Sequence, residues 1–330
     1  MKQALVTGGC GFVGRHVVMR LLGMGLKVWA VDNLSTGQHP DAWMPKDYVD
    51  SGAFVFVEDD ARKFFARYLG VTEPARDLPD FDDVFHFAAV VGGRVKIDGD
   101  PIAVANDLAI DSDMFTWAVR VRPGRILFAS SSAAYPIDLQ ASEGAVALKE
   151  ADINFGGRLG QPDMTYGWSK LTGEYLARIA AQHYDLRVAC VRPFSGYGED
   201  QDLTYPIPAM AARAARRENP FEVWGSGDQG RDFVHIEDCV DAMLLALDKI
   251  SDGSGVNIGS GTLTTFKEVI RIFCGFAGYE PTIKPLLDKP VGVHSRYADV
   301  TVAREILGFT PKISINEGLR RVYEAALKRI

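Results

Sequence analysis

Tyr166 and Lys170 stand four residues apart in the run Tyr166-Gly167-Trp168-Ser169-Lys170. On a helix that spacing puts a phenol and an ammonium on one face, one turn apart. A cation beside a phenol stabilises the phenolate and pulls its pKa down from about 10. That is the property a tyrosine acid/base needs. The same pair arises by chance on exposed helix faces, so the chemistry depends on an oxidant site and a substrate pocket supplied by the rest of the chain.

The remaining chain reads as a scaffold for such a site. Residues 4–6 form a short apolar strand that runs into Thr7-Gly8-Gly9-Cys10-Gly11-Phe12-Val13-Gly14 and then an amphipathic helix to about residue 24. Strand, glycines at spacing three and helix together let backbone N–H groups and a helix N-terminus approach a pyrophosphate. A second strand, 27–31, ends at Asp32, eighteen residues after Gly14. An acid there accepts hydrogen bonds from adenosine ribose hydroxyls and repels a 2′-phosphate. Residues 33–38 bring no Arg or Lys to receive that phosphate, so NAD is favoured over NADP. A turn or cap role is the alternative for Asp32.

A third strand, 53–57, runs into Asp60-Ala61-Arg62, and a fourth, 83–89, ends in Ala88 and Ala89, small enough for the close approach of a nicotinamide half. His86 lies inside that strand and reads as structural. Residues 101–120 suggest a long helix, and a fifth strand, 125–129, delivers Ser130-Ser131-Ser132 to the same edge, where a merely polar loop is the alternative. Strands alternating with helices imply an α/β fold, a Rossmann-type doubly wound parallel sheet, with ligands at the carboxyl ends of its strands. Residues 136–161 form a long glycine-bearing segment, expected to be a lid or wall of the substrate site.

At 330 residues two lobes are expected. We place a cofactor domain at 1–190, rejoined by part of 233–258, and a smaller α/β substrate lobe at 191–330. A net charge of −7 argues against nucleic acid or an anionic membrane as partner. Arg213, Arg216 and Arg217 are expected on a solvated helix face. Cys10, Cys190, Cys239 and Cys274 lie far apart without Cys-x-x-Cys spacing, which suggests neither a metal site nor disulfides and fits a reducing compartment. An apolar strand directly after Met1-Lys2-Gln3, and no apolar run of 18 residues, lead us to expect a cytoplasmic chain.

Thr7-Gly8-Gly9-x-Gly11-Phe12-x-Gly14, Asp32-Asn33, Asp60-Ala61-Arg62, Ala88-Ala89, Asn106, Ser130-Ser131 and Tyr166-x-x-x-Lys170 together resemble the extended short-chain dehydrogenases that act on nucleotide sugars. The resemblance continues through Arg192-Pro193-Phe194-x-Gly196-Tyr197-Gly198, the motif from Trp224 to Asp238, Asn257 to Gly261, and Arg296-Tyr297-Ala298-Asp299. It implies that Tyr166 is the acid/base, Lys170 its pKa depressor and a ribose ligand, and Ser131 the hydroxyl that shares the proton. Gly8, Gly11, Phe12, Val13, Gly14, Asp32, Asn33, Asp60, Ala61, Ala88, Ala89, Asn106 and Pro193 would join Tyr166 and Lys170 in holding NAD. Ser132, Gly93, Ser195, Val223, Arg231 and Arg296 would contact the nucleotide sugar, the two arginines facing its pyrophosphate or, as the alternative, forming surface ion pairs. The family also implies a homodimer built through a four-helix interface.

The resemblance further implies oxidation of a sugar at C4 as the first step. Members that go on to dehydrate carry Asp-Glu just before the tyrosine corresponding to Tyr135, where this chain has Ala133-Ala134. GDP-mannose 3,5-epimerase, which Gly92-Gly93 and Tyr135-Pro136 resemble, carries a Cys where Ala133 stands and a Lys in the loop after Gly198, and no Lys lies between Gly196 and Arg213 here. What remains is an NDP-hexose 4-epimerase, reached by elimination. A plain C4 oxidase and a non-catalytic NAD-binding sensor are the other readings, and the sensor would show erosion at Tyr166, Lys170 or Ser131, all of which are intact.

Overall fold

The computed structural model describes residues 1–68, 78–92, 98–141 and 145–329. Strands β1 (Gln3–Thr7), β2 (Lys27–Asp32), β3 (Phe54–Glu58), β4 (Asp83–His86), β5 (Arg125–Ala129) and β6 (Val188–Pro193) are short runs rich in Val, Ile, Leu and Phe, as strands covered on both faces are. Past β6 the chain makes β7 (Ser195–Tyr197), β8 (Phe221–Trp224), β9 (Gly230–Arg231) and β10 (Phe233–His235), then returns with β11 (Asp252–Ile258). The central sheet has the order β11-β6-β5-β4-β1-β2-β3, and every pairing in it is parallel. The direction of order reverses beside β1, which makes the carboxyl ends of β1 and β4 a crevice for a ligand.

Alternation along each strand feeds two cores. Val6, Ala30, Phe85 and Leu127 face helices α1 (Phe12–Gly23) and, later in the chain, the helix that follows β10. Leu5, Val84, Ile126 and Phe128 face α2 (Ala61–Tyr68), α3 (Asn106–Val121) and α4 (Met164–Tyr184). Each fully buried Val, Leu, Ile or Phe contributes about 1.5–3 kcal/mol, so the sheet faces fix which side of each helix turns inward. The expected long helix from 101 is broken: a short turn, Pro101–Val104, is separated from α3 by Ala105.

The helix after β10, α6 (Ile236–Lys249), returns to cover the first core, while a second lobe is built from α5 (Pro206–Ala215), β12 (Thr264–Thr265), α7 (Phe266–Phe276), β13 (Ile283–Leu286), β14 (Ser295–Arg296) and α8 (Ile315–Leu327). Its own core gathers Phe221, Val223, Ile270, Phe273, Leu319 and Val322. The arginines 213 and 217 are not simply solvated. Arg213 lies 4.1 Å from the Phe221 ring and pairs with Glu218, and Arg217 lies 5.0 Å from the Tyr279 ring.

Behind the strand ends runs a buried polar network. Arg192 on β6 grips Glu174 on α4 with two bonds, Nε to Oε1 at 2.9 Å and Nη2 to Oε2 at 2.7 Å. Ser130 donates to Glu174, Arg192 donates to the Tyr135 hydroxyl at 2.9 Å, and Tyr135 donates to Asn257 on β11 at 2.7 Å. The side chains of Arg192 and Glu174 are 4% and 2% exposed, so removing one partner strands a buried charge. Glu174→Ala is expected to lower unfolding stability by about 3–5 kcal/mol in urea titration. A loss below about 1 kcal/mol, the range of a surface pair, would contradict this account.

Candidate active site

The glycine turn is packed backbone against backbone. Gly8 has φ +68°, a left-handed conformation that costs glycine little. A Cβ on Gly8 would stand 2.8 Å from the Ala88 nitrogen, and one on Gly14 would stand 2.0 Å from the Gly8 carbonyl oxygen. Gly11 sits at the N-cap of α1 with no side-chain cap, and Phe12, Val13 and Gly14 open the helix without an acidic residue in its first turn. The first-turn N–H groups and the positive end of the helix dipole are thus left for an anion.

Asp32 braces that turn from the end of β2. Its carboxylate accepts the Cys10 N–H at 2.9 Å and the Leu34 N–H at 2.8 Å. Asn33 beside it is exposed and caps Ser35. Asp60 and Ala61 lie at the same end of the groove, where the Asp59 N–H donates to the Asp32 carbonyl at 3.1 Å. The Arg62 guanidinium forks onto Asp60 at 3.1 and 2.8 Å and holds its carboxyl below the usual range. Asn106 is exposed, its Oδ1 taking Arg62 Nη1 at 3.4 Å, so it gathers with Asp60 at the Asp32 end of the groove. The residue of α3 that reaches the centre is its neighbour Asp107, fully buried, which accepts the Val90 N–H at 2.5 Å. Ala88 donates to Thr7 Oγ1 at 3.3 Å, and Ala89 follows it at the end of β4. Pro193 ends β6 opposite Ile258.

Tyr166 and Lys170 share the inward face of α4 as their spacing predicts. Lys170 is 3% exposed, with Nζ 5.8 Å from the Tyr166 ring and 5.4 Å from the Phe128 ring. Ser131 caps a short turn by accepting the Ala133 N–H at 3.1 Å, which leaves its own proton free to be donated, and its hydroxyl acts to lower the Tyr166 pKa. The phenol is not tuned as its spacing to Lys170 alone suggests. Burial pushes the Tyr166 pKa up, Lys170 and Ser131 pull it back, and Asp107 and Asp111 raise it further, so it stands above its ordinary value. Burial also pulls Lys170 down, but Asp111, Tyr166 and Asp107 outweigh it and keep the ammonium charged. Tyr205, just before α5, interacts with Tyr166 and is itself pushed up to about 12, chiefly by burial.

The substrate candidates divide. Ser132 is buried beside Ser131. Ser195 opens β7, its N–H on the Asp232 carbonyl at 2.8 Å. Arg231 donates to the Gly230 carbonyl at 2.7 Å and to the Val291 carbonyl at 3.2 Å. Arg296 is held by Gln140 at 2.6 Å and by Asp163, the N-cap residue of α4, at 2.8 Å. Val223 points into the core of the second lobe, because β8 alternates and buries Phe221 and Val223 together. Gly93 lies outside the described residues. The expected lid is a packed wall, in which Leu148 and Ile153 join Tyr135, Leu171, Phe194 and Ala298 in a core cluster.

Residues 4–259 match the family described as "NAD dependent epimerase/dehydratase family". The chain belongs to this family. It is similar to GDP-mannose 3,5-epimerase 1 of Oryza sativa subsp. indica, at 28% identity over 96% of this chain and 80% of that one. It is similar also to the UDP-glucose 4-epimerase of Mycolicibacterium smegmatis, at 27% identity over 98% and 97%. Among solved structures, the UDP-glucose 4-epimerase of Thermotoga maritima with UDP-glucose superposes with a TM-score of 0.81, 27% identity and 99% of each chain covered. As a member of an NAD-dependent epimerase family the protein is an enzyme with NAD as cofactor, and its own residues fit that group: a backbone cradle that any Cβ would fill, an uncapped helix N-terminus and an acid at the end of β2.

The cradle makes a direct prediction. Gly14→Ala is expected to weaken NAD binding at least about tenfold in calorimetric titration, since a methyl group 2.0 Å from the Gly8 oxygen must open the turn. Unaltered affinity in a folded Gly14→Ala protein would show that the cofactor does not use this turn.

Proposed function

We propose that the protein is an NDP-hexose 4-epimerase working through a transient 4-keto sugar. The observation that carries this reading is the convergence of Tyr166, Lys170 and Ser131 at the strand ends, with buried alanines at 133 and 134, which bring no acid or base of their own. With a sugar C4 hydroxyl against Tyr166, the phenolate takes its proton, Lys170 balances the charge and Ser131 orients the oxygen. NAD supplies the acceptor for the C4 hydride and the source of its return. After the keto sugar turns, Tyr166 gives the proton back to the C4 oxygen, so no carbon–hydrogen bond is exchanged with water.

Elimination of water or inversion at C3 and C5 needs a further acid and base. Alanines at 133 and 134 supply neither, so a 3,5-epimerase or a dehydratase lacks its groups despite the overall likeness to a GDP-mannose 3,5-epimerase. Arg231 and Arg296 are the donors we assign to the sugar nucleotide's pyrophosphate, Arg296 exchanging Asp163 for it. Residues 1–190 with part of 233–258 would serve as the cofactor domain and the rest of 191–330 as the substrate lobe, β6 and β11 carrying the sheet across that boundary.

A homodimer through α3 and α4 is part of the proposal. Met164, Trp168 and Tyr175 are 41%, 46% and 47% exposed along one side of α4, and Leu108 on α3 is 38% exposed, an apolar face that a second copy would cover. Four buried free thiols fit a reducing cytoplasm. Among the described residues no helix is long and apolar enough to cross a membrane.

Two measurements follow. Incubated with a panel of nucleotide sugars in D2O, the enzyme is expected to interconvert C4 epimers without deuterium at any carbon, and Tyr166→Phe to retain NAD while losing turnover by about 10²-fold or more. Deuterium at C3 or C5, or lasting NADH, would replace the 4-epimerase with a different reaction. Light scattering is expected to give twice the chain mass for the native protein and the chain mass for Trp168→Glu; a dimer that survives this change places the interface elsewhere.

A further inference from the structure

Gln140 is 1% exposed, although it closes a short turn, Ile137–Gln140, whose Ile137 and Asp138 lie at the surface. A buried amide has to find partners for its polar atoms, and this one finds three. Its Nε2 donates to the Tyr135 carbonyl at 3.2 Å and to the Pro136 carbonyl at 2.9 Å, and its Oε1 accepts Arg296 Nε at 2.6 Å. Carbonyls only accept and a guanidinium only donates, so the amide can face them in this one orientation. A glutamate at 140 would set a carboxylate against two carbonyl oxygens, and a methionine would take from Arg296 Nε this acceptor. An amide of this length both closes the turn and receives the guanidinium.

The turn is itself braced from behind. The Ile137 N–H donates to the Gln161 carbonyl at 2.9 Å, the Asp163 N–H donates to the Ala133 carbonyl at 3.0 Å, and a Cβ on Gly160 would stand 2.5 Å from the Pro136 Cβ. Residues 133–140 and 160–163 therefore form one seat, and Arg296 spans it with Nε on Gln140 and Nη2 on Asp163 at 2.8 Å. The two holders differ in kind. Asp163 is an anion and competes with any anionic ligand for the guanidinium, whereas the Gln140 oxygen is neutral and fixes direction without cancelling charge. Arg296 is also the register partner of Arg231 across the parallel pair β14 and β9, so two cationic residues stand side by side where a diphosphate would relieve their repulsion.

We propose that Gln140 is the positioning residue that aims Arg296 at the diphosphate of a nucleotide sugar. The inference rests on the assignment of Arg296 to that diphosphate. The bond to Nε holds the approach of the side chain while Nη2 passes from Asp163 to a phosphate oxygen, so Arg296 changes partner without changing aim. Because Gln140 acts on the diphosphate end, it serves binding and leaves the transfer of proton and hydride at the sugar untouched.

Gln140→Met keeps the length of the side chain and removes its hydrogen bonds. A hydrogen bond to a charged group is worth about tenfold in binding. KM for the nucleotide sugar turned over is therefore expected to rise by that factor, as is Kd in calorimetric titration with UDP, GDP or dTDP alone, whichever of them binds. At saturation kcat, and NAD content, are expected within about twofold of native, a split that general loosening of the site would not give. Arg296→Met is expected to weaken the same diphosphate at least as much, and the Gln140→Met/Arg296→Met double variant no more than Arg296→Met alone. A folded Gln140→Met protein with native Kd, or a double variant in which the two losses multiply, overturns the proposal while leaving Arg296 assigned. Native Kd in Arg296→Met instead rejects the assignment of Arg296, and the proposal with it. If Gln140→Met does not fold, the native protein labelled with 15N-arginine decides. The Nε–H resonance absent from Arg296→Met is expected to stay protected from exchange with water before and after the diphosphate binds, and rapid exchange in the complex would show that Arg296 leaves Gln140 and would overturn the proposal.

Discussion

The Arg192–Glu174 pair is the interaction on which the site's geometry depends. Glu174 lies four residues beyond Lys170 and eight beyond Tyr166, so all three occupy one stripe of α4. By accepting both arms of Arg192 from β6 and the hydroxyl of Ser130 from the end of β5, Glu174 fixes the rotation of α4 about its axis. A helix packed only by apolar contact can turn by some degrees at little cost, whereas a forked ion pair in a dry interior cannot. The phenol and ammonium are therefore carried to the strand ends by a bond about one turn beyond the ammonium and two beyond the phenol.

A second level of the same logic joins the two halves of the chain. Arg192 also donates to Tyr135, Tyr135 donates to Asn257, and Asn257 donates in turn to Glu150, Leu148 and Asp299. The wall formed after Tyr135 is thus hydrogen-bonded to β11 and to the segment that follows β14. Arg296 adds the contact nearest the chemistry, gripping Asp163 directly before α4. Because Asp163 is the N-cap residue of the helix that carries Tyr166, Arg296 ties β14 to the start of that helix.

What was legible in the sequence was whatever depends on neighbours in the chain. The glycine turn, the acid ending β2 and the Tyr166–Lys170 spacing follow from local rules of period and backbone approach. The parallel order of the sheet followed from alternation of strand and helix. The illegible parts depend on rotation and on partners far away. Asn106 and Asp107 differ by one position, yet a step of about 100° around a helix sends one outward and the other into the interior, onto the Val90 N–H. Val223 sits in a strand of period two, so a side chain expected to contact the nucleotide sugar faces the core instead.

The pKa of Tyr166 marks the same boundary between local and tertiary information. A phenol paired with a lysine at helical spacing reads as a depressed acid, and in an exposed helix it would be one. Here Lys170 is buried and Tyr166 half-buried, desolvation of the phenol outweighs Lys170, and two acids on a different helix add to it. The direction in which this phenol is shifted is therefore decided by tertiary surroundings, not by the helical spacing of Tyr166 and Lys170.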